Sequence, residues 1–147
     1  MKKRIIKFIE KYLFDLAEKR LTDKKITIIA VTGSAGKTST KEAIRVLMES
    51  FFGDKVFVSY GNMNESIGIP LAILGFDYLP TKSGWPKMLF QARRKAKSKQ
   101  FPDYLVLEMG AEKPGDIEYF TKLVNLFVWK GPKVICKRQV LLRWGEF

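Results

Sequence analysis

The sequence contains no histidine and a single cysteine, Cys136. Without histidine the chain cannot form a Ser-His or Cys-His catalytic pair or a conventional zinc site, and one cysteine cannot close an internal disulfide. Any chemistry must therefore use lysine, carboxylates, hydroxyls, backbone amides and a bound ion.

Acidic residues and long apolar runs are also scarce. The 147 residues include 15 Asp or Glu against 27 Lys or Arg, a formal net charge of +12, so a nucleotide, a nucleic acid or an anionic membrane is an expected neighbour. No apolar run approaches the roughly 20 residues of a transmembrane helix, and charges interrupt the N-terminal stretch where a signal peptide would be apolar. We therefore expect one globular unit in the cytoplasm.

The apolar pattern predicts an α/β protein, a parallel sheet flanked by helices. Its β-branched runs are typical of strands buried on both faces. No clear element pattern is visible from Asn125 to Phe147. Strands are predicted at 26–31, 55–59 and 104–107, and helices at 38–52, 67–74 and 114–124.

The first segment, Lys2 to Arg20, is predicted to be a basic amphipathic helix. We favour packing of its apolar face on the domain, and the alternative is a helix lying on an anionic membrane surface. Its apolar residues are Ile5, Phe8, Ile9, Tyr12, Leu13 and Leu16, and its lysines include Lys3, Lys7, Lys11 and Lys19.

A glycine-rich loop joins the first predicted strand to the next helix. Glycines let backbone amides wrap phosphate oxygens, and the amides that open the helix add their dipole. Lys37 suits the β- and γ-phosphates of ATP, and the Thr38 hydroxyl suits Mg²⁺. The loop has two residues between its glycines where the common Walker pattern has four, but its setting favours a phosphate-binding loop, as in P-loop NTPases, over an ordinary turn. The candidates are Gly33, Ser34, Ala35, Gly36, Lys37, Thr38 and Ser39.

Three further polar residues lie at or just after the ends of predicted strands. In a parallel sheet these strand ends should lie close to the loop. Glu108 closes an apolar strand, where it is expected to act with Lys37 in catalysis and to hold Mg²⁺ directly or through water; the alternative is a solvated strand-end residue. Asn62 and Asn64 are placed to meet a phosphate or a substrate, and a purely turn-forming role is equally open.

The stretch from Thr81 to Gln100 contains seven Lys or Arg and no acid. It predicts a surface helix that faces solvent or a membrane. Trp85 and Phe90 are its only candidates for stacking on bases, which argues against a nucleic-acid groove.

Segments 31–40, 61–71 and 107–117 together resemble the ATP-binding central domain of the Mur ligases, and most closely that of the MurF branch. This resemblance implies an ATP- and Mg²⁺-dependent amide-forming ligase of peptidoglycan precursor synthesis, which acts through an acyl-phosphate on a UDP-muramoyl peptide and a dipeptide. It also implies that Lys37 and the loop amides hold the phosphates. Thr38 and Glu108 would hold Mg²⁺, and Asn62 and Asn64 would lie beside the γ-phosphate.

Family members also have a second half of this domain, an N-terminal UDP-binding domain and a C-terminal substrate domain, which the sequence does not match. We expect a basic helix at 1–24, a partial central domain at 25–124, and a divergent tail at 125–147 that reflects a frameshift or truncation. Such a fragment is expected to be inactive alone. The alternatives are a small nucleotide-binding module at an anionic membrane surface, and a charge-driven nucleic-acid-binding protein.

Overall fold

A computed structural model describes residues 2–23, 26–33, 35–61, 63–98, 100–110, 116–124, 127–129 and 139–144. These residues form helices and strands in alternation, which confirms the predicted α/β class. The elements are α1 (Lys2–Asp23), β1 (Thr27–Gly33), α2 (Lys37–Phe52), β2 (Val56–Val58), α3 (Gly68–Ile73), α4 (Trp85–Ala96), β3 (Tyr104–Glu108), α5 (Asp116–Val124), β4 (Phe127–Trp129) and β5 (Gln139–Trp144).

The strands form one parallel sheet in the order β2-β3-β1-β5-β4. β1 lies at its centre, and Ile28, Ala30 and Val31 are fully buried, as expected for a parallel strand covered on both faces. The register pairs Val31 with Glu108. The last residue of β3 therefore lies beside the end of β1, two residues before the loop begins.

Helices cover the two faces of the sheet unequally. Ile28 and Leu105 belong to the main core, together with buried residues of α1, α3, α4 and α5. Val31 and Val106 are buried outside that core, and α2 contacts β1, β2 and β3. Because successive side chains of a strand point to opposite faces, α2 covers one face and the other four helices cover the other.

β4 and β5 lie in residues 125–147, where the sequence pattern predicts no element. β5 pairs with β1 along the six positions from Ile28 to Gly33, and β4 pairs with β5. Pairing satisfies the backbone groups on the second edge of β1, which would otherwise remain open. Short apolar runs such as Val140 to Leu142 cannot be assigned by periodicity alone, which is why the sequence pattern missed them. The proposed frameshift and the domain limits stay predictions.

The N-terminal helix packs on the domain through part of its length. Leu13 and Ala17 are fully buried, and α1 contacts α3, α4 and α5. The favoured prediction, that α1 packs on the domain, is therefore confirmed for the second half of the helix. Ile5 and Phe8, predicted to share the packing face, are 57% and 68% exposed. No described helix is long and apolar enough to cross a membrane.

Two contacts show how α1 is oriented. Ser66, in the loop after β2, donates a hydrogen bond to Glu10 at 2.7 Å. Arg20 is buried and donates to the Gln100 carbonyl at 3.3 Å, just before β3, and burial lowers its pKa to about 10. α1 therefore runs antiparallel to the strands, with its first residues at the edge where the strands end.

The Ser66 loop also contacts α5. The Tyr119 hydroxyl lies 3.4 Å from the Ser66 carbonyl and donates to it. Burial raises the pKa of Tyr119 to about 12, and the charges of Glu10 and Asp15 act in the same direction. The loop that follows β2 is thus held between α1 and α5.

The basic segment that follows α3 does form a helix, α4, but one face of that helix belongs to the core. Met88, Ala92 and Ala96 are buried, whereas Phe90 is 65% exposed. Lys95 turns inward, donating to the Gly75 carbonyl. The prediction of a surface helix is therefore correct only for one face of α4, since the other face packs in the core.

Candidate nucleotide and magnesium site

The predicted phosphate-binding loop connects the end of β1 to the start of α2. Gly36 has φ 74° and ψ 0°, a left-handed conformation that glycine adopts without strain, and no side chain caps the helix that follows. The amides of the first turn of α2, at Lys37, Thr38 and Ser39, thus lack a side-chain acceptor at Gly36. Such amides are suited to phosphate oxygens. Ser34 lies outside the described residues.

Lys37 closes the loop upon itself. Its ammonium donates a hydrogen bond of 2.7 Å to the Gly33 carbonyl, from the first turn of α2 back to the end of β1. The side chain is partly buried, and it holds a positive charge over the loop where phosphate oxygens are expected. Its role toward the β- and γ-phosphates stays a prediction.

Thr38 and Glu108 meet, as the sequence analysis required of a shared metal site. The Thr38 hydroxyl lies 3.2 and 3.1 Å from the two carboxylate oxygens of Glu108 and donates to them. Glu108 is only 6% exposed. The alternative of a solvated strand-end residue is therefore wrong.

Lys41 is a third member of this cluster that the sequence analysis missed. Its side chain is 3% exposed, and its ammonium lies 3.3 Å from Oε2 of Glu108. The signal was available in the spacing, since Lys41 follows Lys37 by four residues and Thr38 by three, which places all three on one side of a helix.

Ser59 supports Glu108 from the neighbouring strand. Its buried hydroxyl accepts a hydrogen bond of 3.0 Å from the Glu108 amide, and its own amide donates to the Val106 carbonyl at 2.8 Å. This contact depends on the pairing of β2 with β3, and no local pattern in the sequence indicates it. Ser59 thus holds the backbone of β3 at both Val106 and Glu108.

Asn64 also lies at this edge of the sheet. Its carbonyl accepts a hydrogen bond of 2.8 Å from the amide of Gly110, two residues after Glu108. A Cβ at Gly110 would lie only 2.9 Å from that carbonyl oxygen. Glycine thus permits the loop of Asn64 to approach the end of β3. Asn62 lies outside the described residues.

The residues present fit Mg²⁺ held together with a nucleotide. A hydroxyl and a buried carboxylate are the oxygen ligands that Mg²⁺ prefers, and it normally takes its remaining ligands from phosphates and water. Among the described residues there is no group of three or more His, Cys, Asp or Glu that could hold a metal ion. Thr38 and Glu108 would therefore hold the ion from the protein side.

The comparison with protein families agrees with this geometry. Residues 31–128 match the family described as the Mur ligase middle domain. That span includes the loop, Asn64 and Glu108. The chain belongs to the Mur ligase family. The resemblance stated from the sequence is thereby confirmed at the level of the family.

The relatives of this Mur ligase chain include enzymes named UDP-N-acetylmuramoyl-tripeptide--D-alanyl-D-alanine ligase. The enzyme of Buchnera aphidicola (subsp. Baizongia pistaciae) is 34% identical over 99 residues, which are 67% of this chain and 16% of that protein. The Bacillus subtilis enzyme is 30% identical over 113 residues, 77% of this chain and 20% of its own length. The chain thus spans a fifth or less of these two relatives.

Solved structures give the same likeness. A crystal structure of MurF from Acinetobacter baumannii superposes with a TM-score of 0.56 at 26% sequence identity, covering 79% of this chain and 20% of that one. A second MurF structure from the same organism gives a TM-score of 0.55 over the same share of this chain. The parallel sheet with flanking helices is thus a Mur ligase fold.

Proposed function

We propose that this chain is the nucleotide-binding part of an ATP-dependent, MurF-like ligase that forms an amide bond in peptidoglycan precursor synthesis. The observation that carries the proposal is the meeting of Lys37, Thr38 and Glu108 around one loop at the carboxyl edge of the sheet. The names of the relatives support the choice of reaction.

In this proposal the chain's residues bind and orient ATP. The loop amides and Lys37 hold its phosphates, and Thr38 with Glu108 holds Mg²⁺, which when bound neutralises charge on the phosphates. The γ-phosphoryl group moves to a substrate carboxylate and ADP leaves. An amine then attacks the acyl-phosphate, so that the amide bond forms as phosphate departs. Asn62 and Asn64 act beside the γ-phosphate.

The proposed substrates are a UDP-muramoyl tripeptide and D-alanyl-D-alanine, following the names of the relatives. Because the chain spans a fifth or less of those relatives, it lacks counterparts for most of their residues. Ligation depends on positioning two substrates against ATP. We therefore propose that these 147 residues bind ATP and Mg²⁺ but do not complete the reaction alone.

The test starts from the gene. Coding DNA downstream of the Val124 codon is read in all three frames, and the longest product is assayed for phosphate release with ATP, UDP-muramoyl tripeptide and D-alanyl-D-alanine. We expect release only when both substrates are present, and none from the 147-residue chain. If a longer product binds ATP but releases no phosphate with these substrates, the ligase assignment is wrong. The proposed function is then nucleotide binding alone.

We further propose a cytoplasmic site of action with peripheral contact at the inner, anionic face of the membrane. The supporting observation is the exposure of Ile5, Ile6 and Phe8, which are 57%, 47% and 68% exposed, on the basic first half of α1. A nucleotide-binding module of this kind without ligase activity is the second candidate function. Exposed aliphatic side chains suit a lipid surface better than a nucleic acid.

A further inference from the structure

Lys41 is the buried cation nearest the proposed metal site, and the proposed function gives it no role. Its ammonium lies 3.3 Å from Oε2 of Glu108, and the two side chains are 3% and 7% exposed. Buried charges need a partner, and each of these two groups is the ion-pair partner of the other. Thr38 occupies the remaining side of the carboxylate.

The balance of charge around Glu108 bears on metal binding. Lys41 offsets the carboxylate of Glu108, and Arg45 offsets that of Glu42. Lys37 adds a positive charge on the loop. The described residues offer no cluster of acidic groups that could hold a cation by themselves. Among the described residues, a divalent cation entering without a nucleotide would therefore meet no excess negative charge. A triphosphate supplies the missing charge.

We propose that Lys41 keeps Mg²⁺ out of the site until a nucleotide is present, while it holds the Glu108 carboxylate in position to receive the ion. Lys41 is thus a positioning residue, and Mg²⁺ enters only together with the triphosphate. The inference rests on the proposed nucleotide site. It concerns the order in which that site is filled.

A second carboxylate, that of Glu42, lies close enough to Lys41 to stabilise its positive charge. Oε1 of Glu42 lies 4.0 Å from the Lys41 ammonium. Glu42 is also held by Arg45, whose Nε lies 2.6 Å from Oε2. If Glu108 were to contact Mg²⁺, its attraction for Lys41 would weaken. The Lys41 ammonium would still have the Glu42 carboxylate beside it on α2. The ammonium can therefore remain where it is after the ion binds.

The experiment uses the full chain with Mn²⁺ in place of Mg²⁺, and measures bound Mn²⁺ by electron paramagnetic resonance with and without ATP. Wild type should bind Mn²⁺ only weakly without ATP and much more tightly with it. Lys41→Met, similar in length but uncharged, should bind Mn²⁺ without ATP at least about tenfold more tightly than wild type, since a repelling charge close to the ion is gone. Lys41→Arg should behave as wild type.

Two controls separate the role of Lys41 from a general loss of charge. Lys122→Met makes the same change in another lysine–glutamate pair, with Glu118 at 2.8 Å, but that pair is exposed, so Mn²⁺ binding should not change. The double variant Lys41→Met/Glu108→Gln should lose the binding that Lys41→Met gains. Mn²⁺ alone should also raise the Tm of Lys41→Met and leave that of wild type unchanged.

The outcomes are distinguishable. If wild type binds ATP with Mn²⁺ as proposed but also binds Mn²⁺ equally well alone, or if folded Lys41→Met shows no gain, the role of Lys41 is overturned and the nucleotide site stands. If wild type binds no ATP, the proposed function itself fails. Should Lys41→Met not fold, wild type that binds Mn²⁺ equally well with and without ATP still overturns the role of Lys41.

Discussion

At the residue scale, the packing of the loop after β2 depends on close backbone contacts that only glycine permits. Gly68 opens α3, and a Cβ built there would lie 2.6 Å from the Cα of Met63 and 2.8 Å from its carbonyl carbon. Both are backbone atoms, which cannot rotate away. The loop that carries Asn64 is thus packed directly against the start of α3.

We predict that Gly68→Ala lowers the free energy of unfolding by about 1–3 kcal/mol, because the loop or the helix must shift to admit the methyl group. Intrinsic helix propensity favours alanine, so without the clash the change would stabilise. Gly84→Ala, just before α4, is the control: its Cβ would meet only side-chain atoms of Pro80 and Thr81, at 3.3 and 3.5 Å. Urea unfolding of the two variants measures the difference, and equal losses would contradict this account.

The same scale shows what a sequence can reveal about a site. Lys37, Thr38 and Glu108 were predictable because a loop between strand and helix and the end of a parallel strand fix their positions. Lys41 was missed although its helical spacing from Lys37 and Thr38 is visible in the sequence. Ser59 could not be identified, since its contact with Glu108 forms only when β2 pairs with β3. Their contacts with Glu108 come from residues 67 and 49 positions away along the chain.

At the scale of elements, α1 has two different halves. Glu10 is fixed to Ser66, and residues 3–8 before it are all exposed, over roughly 9 Å of helix at 1.5 Å a residue. Phe8 stacks on Tyr12, with ring centroids 6.3 Å apart, but remains 68% exposed. Among the described side chains, the exposed cations of this half include Lys3, Arg4 and Lys7, followed by Lys11.

We predict that the chain binds vesicles containing phosphatidylglycerol and not vesicles of phosphatidylcholine alone. Lys7→Glu should weaken binding at least about fivefold, since each basic residue near an anionic surface contributes about 1 kcal/mol. Phe8→Ala should weaken it through lost burial in the interface. Phe51→Ala is the matched control, because Phe51 is 74% exposed but lies on α2, outside the basic half of α1.

Sedimentation with the vesicles gives the bound fraction. Equal weakening by Phe8→Ala and Phe51→Ala would show that general hydrophobicity, not α1, drives adsorption. Binding to an oligonucleotide that falls steeply with salt, without vesicle binding, would favour the nucleic-acid alternative.

Elements were predictable to different degrees. β1, α2 and β3 follow from strong apolar patterns and clear boundaries, whereas the periodicity of α1 placed Ile5 and Phe8 on the packing face. Periodicity detects an apolar side of a helix but cannot tell how far along the helix its neighbours extend. β4 and β5 could not be predicted, since β5 is defined by its pairing with β1 and β4 by its pairing with β5, and not by a local pattern.

At the scale of the whole molecule, one edge of the parallel sheet gathers everything proposed for function. The loop after β1, Asn64 after β2 and Glu108 at the end of β3 all reach it, and the antiparallel course of α1 brings its exposed first residues to the same side. Parallel strands produce this convergence because all their carboxyl ends lie together. Family membership agrees with the arrangement.

The most direct test of the central claim is the affinity of the full chain for ATP, measured by calorimetry with Mg²⁺ and again with EDTA. The account predicts binding that requires Mg²⁺ for full strength and is weakened at least about tenfold by Lys37→Ala, which removes a charged hydrogen-bond donor to phosphate. Lys55 lies beside Asp103 at the amino ends of the strands, away from the loop, so Lys55→Ala should bind ATP as wild type does. Undiminished ATP binding by Lys37→Ala would contradict the account.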